Sequence, residues 1–336
     1  MKRILLLVLS LILVGTFAIG CEKSGDMPTG VVDESKDATD SFTDEFGITI
    51  DENTITFVDG RGEAVTVDKN PKRAIVLFAS FVDIWMRNGG DMVGMVEPSN
   101  EYYMPGTEHI ETLGKQGSIS LEKVISLEPD LVVLSYNTGS HHDLFPALEK
   151  NNIPIMVLDY RLKEDYFKIS KIFAAINDRM DLYEQDAQMV KEEIEKIMSN
   201  VPKDKGVKVL GMMATKNVIS ALGSDTTLGE MFKDLGAINI ADGSNGQLSD
   251  KNFSLEKILE EDPDFIFVQA MGSDMDAIEE RIRSDAQSNP AWNSLKAVKN
   301  DNYIVLDKEL YTYKANHRYA EAYRGLAEIM YPEVFK

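Results

Sequence analysis

Short, unbroken apolar runs recur along the chain: Ala74-Ile75-Val76-Leu77-Phe78, Leu131-Val132-Val133-Leu134 and Ile155-Met156-Val157-Leu158. They return as Val207-Lys208-Val209-Leu210-Gly211-Met212, Phe265-Ile266-Phe267-Val268 and Tyr303-Ile304-Val305-Leu306. A short apolar run bounded by turn residues fits a strand covered on both faces. The stretches between them carry helical spacing, and strands alternating with helices imply mainly parallel sheets. One block occurs twice. Ser120-Leu121-Glu122-Lys123-Val124-Ile125 leads to Pro129-Asp130-Leu131-Val132, and Ser254-Leu255-Glu256-Lys257-Ile258-Leu259 leads to Pro263-Asp264-Phe265-Ile266 at the same spacing. Each copy reads as a helix with a Ser N-cap, a Pro-Asp turn and a buried strand.

Between the two halves, Leu182, Met189, Val190, Ile194 and Ile197 lie at helical spacing in a stretch without Pro or Gly. Arg179–Asn200 is therefore predicted as one long helix, ended by Val201-Pro202, because the residue before proline disfavours helix. The predicted fold class is α/β: two similar three-layer lobes with mainly parallel sheets, joined by one long interdomain helix. The expected divisions are an N-terminal lobe over 46–177, the connecting helix over 178–201 and a C-terminal lobe over 202–336.

The beginning of the chain follows a different pattern. Lys2 and Arg3 precede the apolar run Ile4–Val14, and small residues lead to Gly20-Cys21. That is a secretory signal over residues 1–20, too short in its apolar run to span a bilayer comfortably. The cysteine after a small residue resembles a bacterial lipobox, with Ala18 where leucine is commoner, so Cys21 is the expected lipidation site. Residues 21–45, rich in small and polar side chains, read as a flexible tether. The expected location is outside the cytoplasm, lipid-anchored to the cell membrane.

Composition narrows the function. The chain holds 56 acidic and 35 basic residues, a formal net charge of −21. Such a surface opposes nucleic-acid binding, and it leaves the lipid as the only attachment to a membrane. Cys21 is the single cysteine, so neither a disulfide nor a cysteine metal cluster can form. Four histidines, at 109, 141, 142 and 317, are too few and too scattered for a free-metal site. No Gly-rich nucleotide loop or Gly-x-Ser-x-Gly elbow occurs, so no catalytic residue, cofactor or protein-held metal is expected.

The segment Asn70-Pro71-Lys72-Arg73-Ala74-Ile75-Val76-Leu77, the repeated Ser-Leu-Glu…Pro-Asp block, Asn289-Pro290-Ala291-Trp292-Asn293-Ser294-Leu295 and Ile329-Met330-Tyr331-Pro332 carry a resemblance. Over about residues 52–336 the chain resembles the periplasmic-binding family of iron-siderophore, haem and cobalamin importers. That resemblance implies a small-molecule ligand held in a cleft between rigid lobes, and a monomer that delivers it to an ABC permease with its ATPase. It also implies that one glutamate per lobe docks on the permease; the matching positions are Glu122 and Glu256. Two equivalent acids on two equivalent lobes suit a partner with two equivalent subunits.

In open α/β sheets ligands lie beyond the carboxyl ends of the strands. That rule selects Ser80, Phe81, Tyr102, Tyr103, Met104, Gln116, Tyr136, His141, His142, Tyr160 and Arg161 in the first lobe. In the second it selects Met213, Met271, Tyr311 and Tyr313, and Trp292 joins them from the C-terminal motif. Aromatic faces and methionines suit flat or irregular ligands. Haem iron could take Tyr, His or Met as an axial ligand. A ferric siderophore brings its own iron ligands and usually negative charge, for which Arg161, Lys216, Lys314 and Arg318 are available. Gln116 stands where the cobalamin binder has its cleft tryptophan, which lowers a corrinoid relative to an iron complex. A ligand-sensing lipoprotein with the same fold is the alternative role.

Overall fold

The computed structural model describes residues 43–98, 105–242, 255–272 and 274–335. Cys21, Ser254 and the predicted cleft residues Tyr102, Tyr103 and Met104 lie outside them. In the first lobe an antiparallel sheet comes first, of β1 (Thr49–Ile50), β2 (Thr54–Val58) and β3 (Ala64–Asp68). Then follow β4 (Ala74–Val76), α1 (Ala79–Arg87), β5 (Gly94–Met95) and β6 (Glu111–Thr112). A hairpin of β7 (Gly114–Lys115) and β8 (Ser118–Ile119) precedes α2 (Leu121–Ser126), β9 (Leu131–Ser135), β10 (Ile155–Leu158) and α3 (Lys163–Ile176). The main sheet runs β10-β9-β4-β5-β6, parallel at every pairing.

Beyond the connecting helix, which ends in α4 (Met189–Asn200), the second lobe repeats the plan. It holds β11 (Lys208–Ala214), β12 (Ile219–Ala221), α5 (Thr227–Asp234), β13 (Ile238–Asn239), α6 (Leu255–Glu261), β14 (Phe265–Ala270), β15 (Tyr303–Val305) and α7 (Tyr319–Met330). Strands β15-β14-β11 are parallel, and β13 pairs in parallel with the start of β11. Thus β15-β14-β11-β13 matches β10-β9-β4-β5. The second lobe adds β12, antiparallel to the far end of β11.

The repeated Pro-Asp turn has a common geometry. Glu128 (φ 46°) and Asp262 (φ 44°), each before its proline, adopt the left-handed conformation. Asp130 then accepts hydrogen bonds from the Lys72 and Arg73 amides (2.6 and 2.9 Å), and Asp264 from the Lys208 amide (2.9 Å). Each aspartate thereby satisfies backbone donors at the start of the first strand of its lobe's parallel sheet, groups that are costly to leave unpaired. Arg73 reaches back to the Leu127 carbonyl at the end of α2, and Lys208 to the Glu261 carbonyl at the end of α6. Cations suit the carbonyl ends of helices.

Apolar burial falls into three clusters. One, including Val132, Leu134 and Val157, lies against a single face of the first sheet; another, including Leu210, Ile266, Val268 and Trp292, does the same in the second lobe. The third is continuous through both lobes. It joins Phe81, Trp85 and Phe173 to Ile194 and Ile197 of the connecting helix, and to Phe232, Tyr319, Tyr323 and Tyr331. So the lobes do not have wholly separate cores. The connecting stretch is helical from Met180 to Asn200, but Glu184–Gln188 forms a π turn within it. Contacts also begin earlier than the expected tether boundary: Asp44 caps the turn at the Phe46 and Ile48 amides and pairs with Lys171 at 2.7 Å.

Candidate functional site

Strands of both sheets end at one cleft of about 890 Å³ between the lobes. From the first lobe come Phe78, Ala79 and Ser80 after β4, Val96, Glu97 and Pro98 after β5, the β7–β8 tip Lys115-Gln116-Gly117, Asn137 after β9, and Tyr160-Arg161 after β10. From the second come Met213, Leu222, Thr226, Thr227, Leu228, Gln269, Met271 and Tyr311–Lys314. Both α1 and α5 begin at the cleft, so two helix N-termini add positive potential there.

Of the residues expected from the sequence, the fold brings together Ser80, Gln116, Tyr160, Arg161, Met213, Met271, Tyr311 and Tyr313. Phe81 is a correction. It is the third residue of α1 and points with Val82, Ile84 and Trp85 into the core, where its ring packs against Phe173. Trp292 is a second correction. It is buried in the outer core of the second lobe, edge-on to Tyr303 at 6.0 Å.

Tyr136 and the two histidines also serve structure rather than the cleft. His141 is fully buried, and its Nδ1 accepts from the Ser135 amide at 3.0 Å. Burial pulls its pKa down to about 4, so it is neutral at ordinary pH. His142 meets the Tyr136 carbonyl at 2.6 Å, with its ring between those of Tyr136 and Phe145. Consecutive residues point in different directions, so neither histidine joins a metal cluster. Among the described residues no group of three His, Cys, Asp or Glu could hold a metal ion.

Sequence reasoning missed Glu97, Lys115, Thr227 and Gln269, while Asn137, Thr226 and Thr312 lie in strand-end stretches that the topology rule selects. Gln269 had a signal: it interrupts the apolar run of β14 near its carboxyl end, and it is buried, donating to the Tyr311 carbonyl. Lys115 had none beyond its place next to Gln116.

Lys314 lies deepest in chemical consequence. Its Nζ donates to the Arg161 carbonyl and to Thr227 Oγ1 (3.0 Å), and sits 4.7 Å from the centre of the Tyr160 ring. Behind it, the Tyr160 hydroxyl donates to Asn316 Oδ1 (2.9 Å), and Asn316 Nδ2 donates to Asp83 (2.8 Å) and to the Ser80 carbonyl. Lys163 adds a second tie between lobes, pairing with Glu230 at 3.3 Å and Asp234 at 2.7 Å. Asp234 also accepts from the Tyr323 hydroxyl (2.6 Å). These partly buried links and the shared core resist separation of the lobes.

Glu122 and Glu256, the second residues of α2 and α6, are both exposed. They stand at equivalent positions of the repeat, on helices whose partner strands have the same place in each sheet.

Known proteins share this arrangement. An uncharacterized ABC transporter substrate-binding lipoprotein, YvrC of Bacillus subtilis, is 26% identical over 336 residues, covering 97% of each chain. The Fe(3+)-citrate-binding protein YfmC of the same organism is 26% identical, covering 74% of this chain and 76% of its own. The crystal structure of Staphylococcus aureus SirA complexed with staphyloferrin B superimposes with a TM-score of 0.63 at 18% identity, covering 82% of this chain and 97% of that one. The sequence profile of a family described as periplasmic binding protein matches residues 88–310. With two lobes closing on one cleft and that profile spanning most of both, this chain belongs to the periplasmic binding protein family.

Proposed function

We propose that this protein is the solute-binding lipoprotein of an ATP-driven importer, and that it captures an iron complex, a ferric siderophore or haem, between its lobes. The observation that carries this reading is the chemistry of the cleft. Three cations (Lys115, Arg161, Lys314) share the cleft with Met213, Met271, Tyr311 and Tyr313, with no cluster of metal-ligating side chains among the described residues. Such a lining suits iron that arrives already chelated: cations meet the charge of the chelate, and aromatic and thioether groups meet its apolar parts. Relatives named for Fe(3+)-citrate and for iron(3+)-hydroxamate binding support it. The protein holds its ligand without chemical change and needs no cofactor of its own.

Cys21 carries the lipid, outside the cytoplasm, and the chain works as a monomer. Among the described residues no helix is long and apolar enough to cross a membrane. Glu122 and Glu256 dock one lobe each on the permease. A binding screen by intrinsic fluorescence tests the ligand reading, with haemin, ferric enterobactin, ferrioxamine B and cobalamin as probes. Saturable quenching by an iron complex at micromolar concentration or below is expected. Binding of cobalamin alone would replace the iron reading with a corrinoid one, and no binding by any probe would remove the importer ligand reading.

A further inference from the structure

Acidic residues outnumber basic ones by more than three to two in this chain, yet Lys314 has no carboxylate within ion-pair distance among the described residues. It is not for want of acids. Asp159, Asp165 and Glu230 are the charged acceptors nearest to it, one from the end of β10, one from the first turn of α3 and one from α5. Each is engaged elsewhere: Asp159 with Arg161 (3.1 Å), Asp165 with the Arg161 and Leu162 amides (2.8 and 2.9 Å), and Glu230 with the Lys163 ammonium and amide. Lys314 is left with two neutral acceptors, the Arg161 carbonyl and the Thr227 hydroxyl, and the face of Tyr160. Of the other titratable groups beside it, Arg161 is exposed and Tyr160 presents the face of its ring. A half-buried ammonium without a counter-ion is costly, and the cost is relieved by whatever anion comes to it.

We propose that Lys314 is the specificity-determining residue of the cleft, without a counter-ion among the described residues so that the ligand supplies one, and that the ligands are iron complexes presenting an anionic oxygen to its Arg161–Thr227 side. This rests on the reading of the cleft as an iron-complex site. Because its two hydrogen-bond partners belong to opposite lobes, the same ammonium also reports ligand charge at the seam between them. Burial pulls the Lys314 pKa down to about 8, with Asp165, Glu230 and Asp159 opposing that fall. A bound anion favours the protonated ammonium. Affinity for an anionic complex is therefore full below about pH 8 and falls above it, by up to roughly tenfold per pH unit while the lysine titrates only in the free protein.

The test measures affinity for ferric citrate, ferric enterobactin and haemin, which are anionic, and for ferrioxamine B, which is not. Each is titrated from pH 7 to 10 into the full soluble chain, K314M and K314R. Methionine keeps the length of the side chain against Tyr160, and arginine keeps a charge that does not titrate in this range. The expected result is a loss of about ten- to a hundredfold by K314M for each anionic probe that binds, the scale of one charge-assisted hydrogen bond. The alkaline fall should be present in the parent and absent from K314R. Unchanged affinity in K314M, or binding of ferrioxamine B alone, would overturn the role of Lys314 while leaving an iron-complex site. If none of the four probes binds, the iron-complex reading itself falls, and this inference with it.

Discussion

Asp130 in the first lobe and Asp264 in the second close the same turn on the same strand edge, preceded by residues with nearly the same positive φ. Where the lobes face each other, the likeness ends. The first lobe offers Glu97, Lys115, Gln116, Asn137 and Arg161 beside Phe78, Val96 and Tyr160; the second offers Met213, Leu222, Met271, Tyr311 and Tyr313 beside Thr226, Thr227, Gln269 and Thr312, with Lys314 at the seam. The second lobe also has the β12 extension beside β11, which brings Met213 and Leu222 to the cleft. The scaffold has thus kept its backbone hydrogen bonds in both copies, while the strand ends have diverged, the first lobe supplying Glu97, Lys115 and Arg161 and the second Met213 and Met271. Strand ends are where side chains can change without disturbing the sheet.

Experiments on this pairing range from the whole transport cycle down to single contacts. The largest effect is expected from replacing Glu122 and Glu256 with alanine together. Cellular uptake should fall more than tenfold, while the affinity of the purified protein stays within about twofold, as expected when exposed charges serve a partner. Each single variant should fall between. Uptake at the parental rate in the double variant, or a matching loss of affinity, would refute docking through the repeat.

Smaller, graded losses should separate the two turns. Asp130→Ala removes an acceptor shared by two amides and should cost about 2 kcal/mol; Asp264→Ala, which strips one strand amide, should cost about 1 kcal/mol. Urea unfolding monitored by circular dichroism reads both, and a reversed order would show that the turns are not equivalent. Tyr160→Phe removes a buried donor between lobes and should also cost about 1 kcal/mol, with the ring still facing the cleft.

A pH series isolates Lys314 in the ligand-free protein. Its folded pKa of about 8 lies below the roughly 10.4 of an unfolded lysine, so the unfolded chain binds more protons between those values. Stability should therefore rise with pH across that window by more in the parent than in K314M. Parallel curves for the two proteins would contradict a desolvated lysine. The smallest effect expected is geometric. Distances between labels on the two lobes should change by no more than a few ångströms on ligand binding, because the core and the Lys163, Asn316 and Tyr160 contacts tie the lobes. A closure typical of hinge proteins would defeat that expectation.

Much of this architecture was legible before any coordinates. Buried parallel strands have to be apolar on both faces, which left Ala74–Phe78, Leu131–Leu134 and Phe265–Val268 conspicuous. The duplicated Ser-Leu-Glu and Pro-Asp blocks revealed the two lobes because helix caps and tight turns tolerate few residue types. The cleft was half legible. The strand-end rule located Tyr160, Arg161, Met213 and Met271, because it depends on topology alone. It could not settle which way a side chain turns. Phe81 sits beside a cleft segment in sequence yet faces the core, Trp292, taken from the C-terminal motif, is buried as well, and His141 is withdrawn by an amide three ångströms away. That Lys314 has no counter-ion among the described residues was beyond reach, since it follows from how Asp159, Asp165 and Glu230 are engaged by other groups.

The π turn at Glu184–Gln188 gives the connecting helix a rotational meaning. A π turn accommodates one residue more than an α turn. Wound as an unbroken α-helix instead, the same residues would swing everything beyond the turn about the helix axis by about 100°. The apolar stripe of Val190, Ile194 and Ile197 would then leave the core it fills. The azimuth at which one half of the protein meets the other, and with it the facing of the two sets of strand ends across the cleft, is set by that one-residue phase.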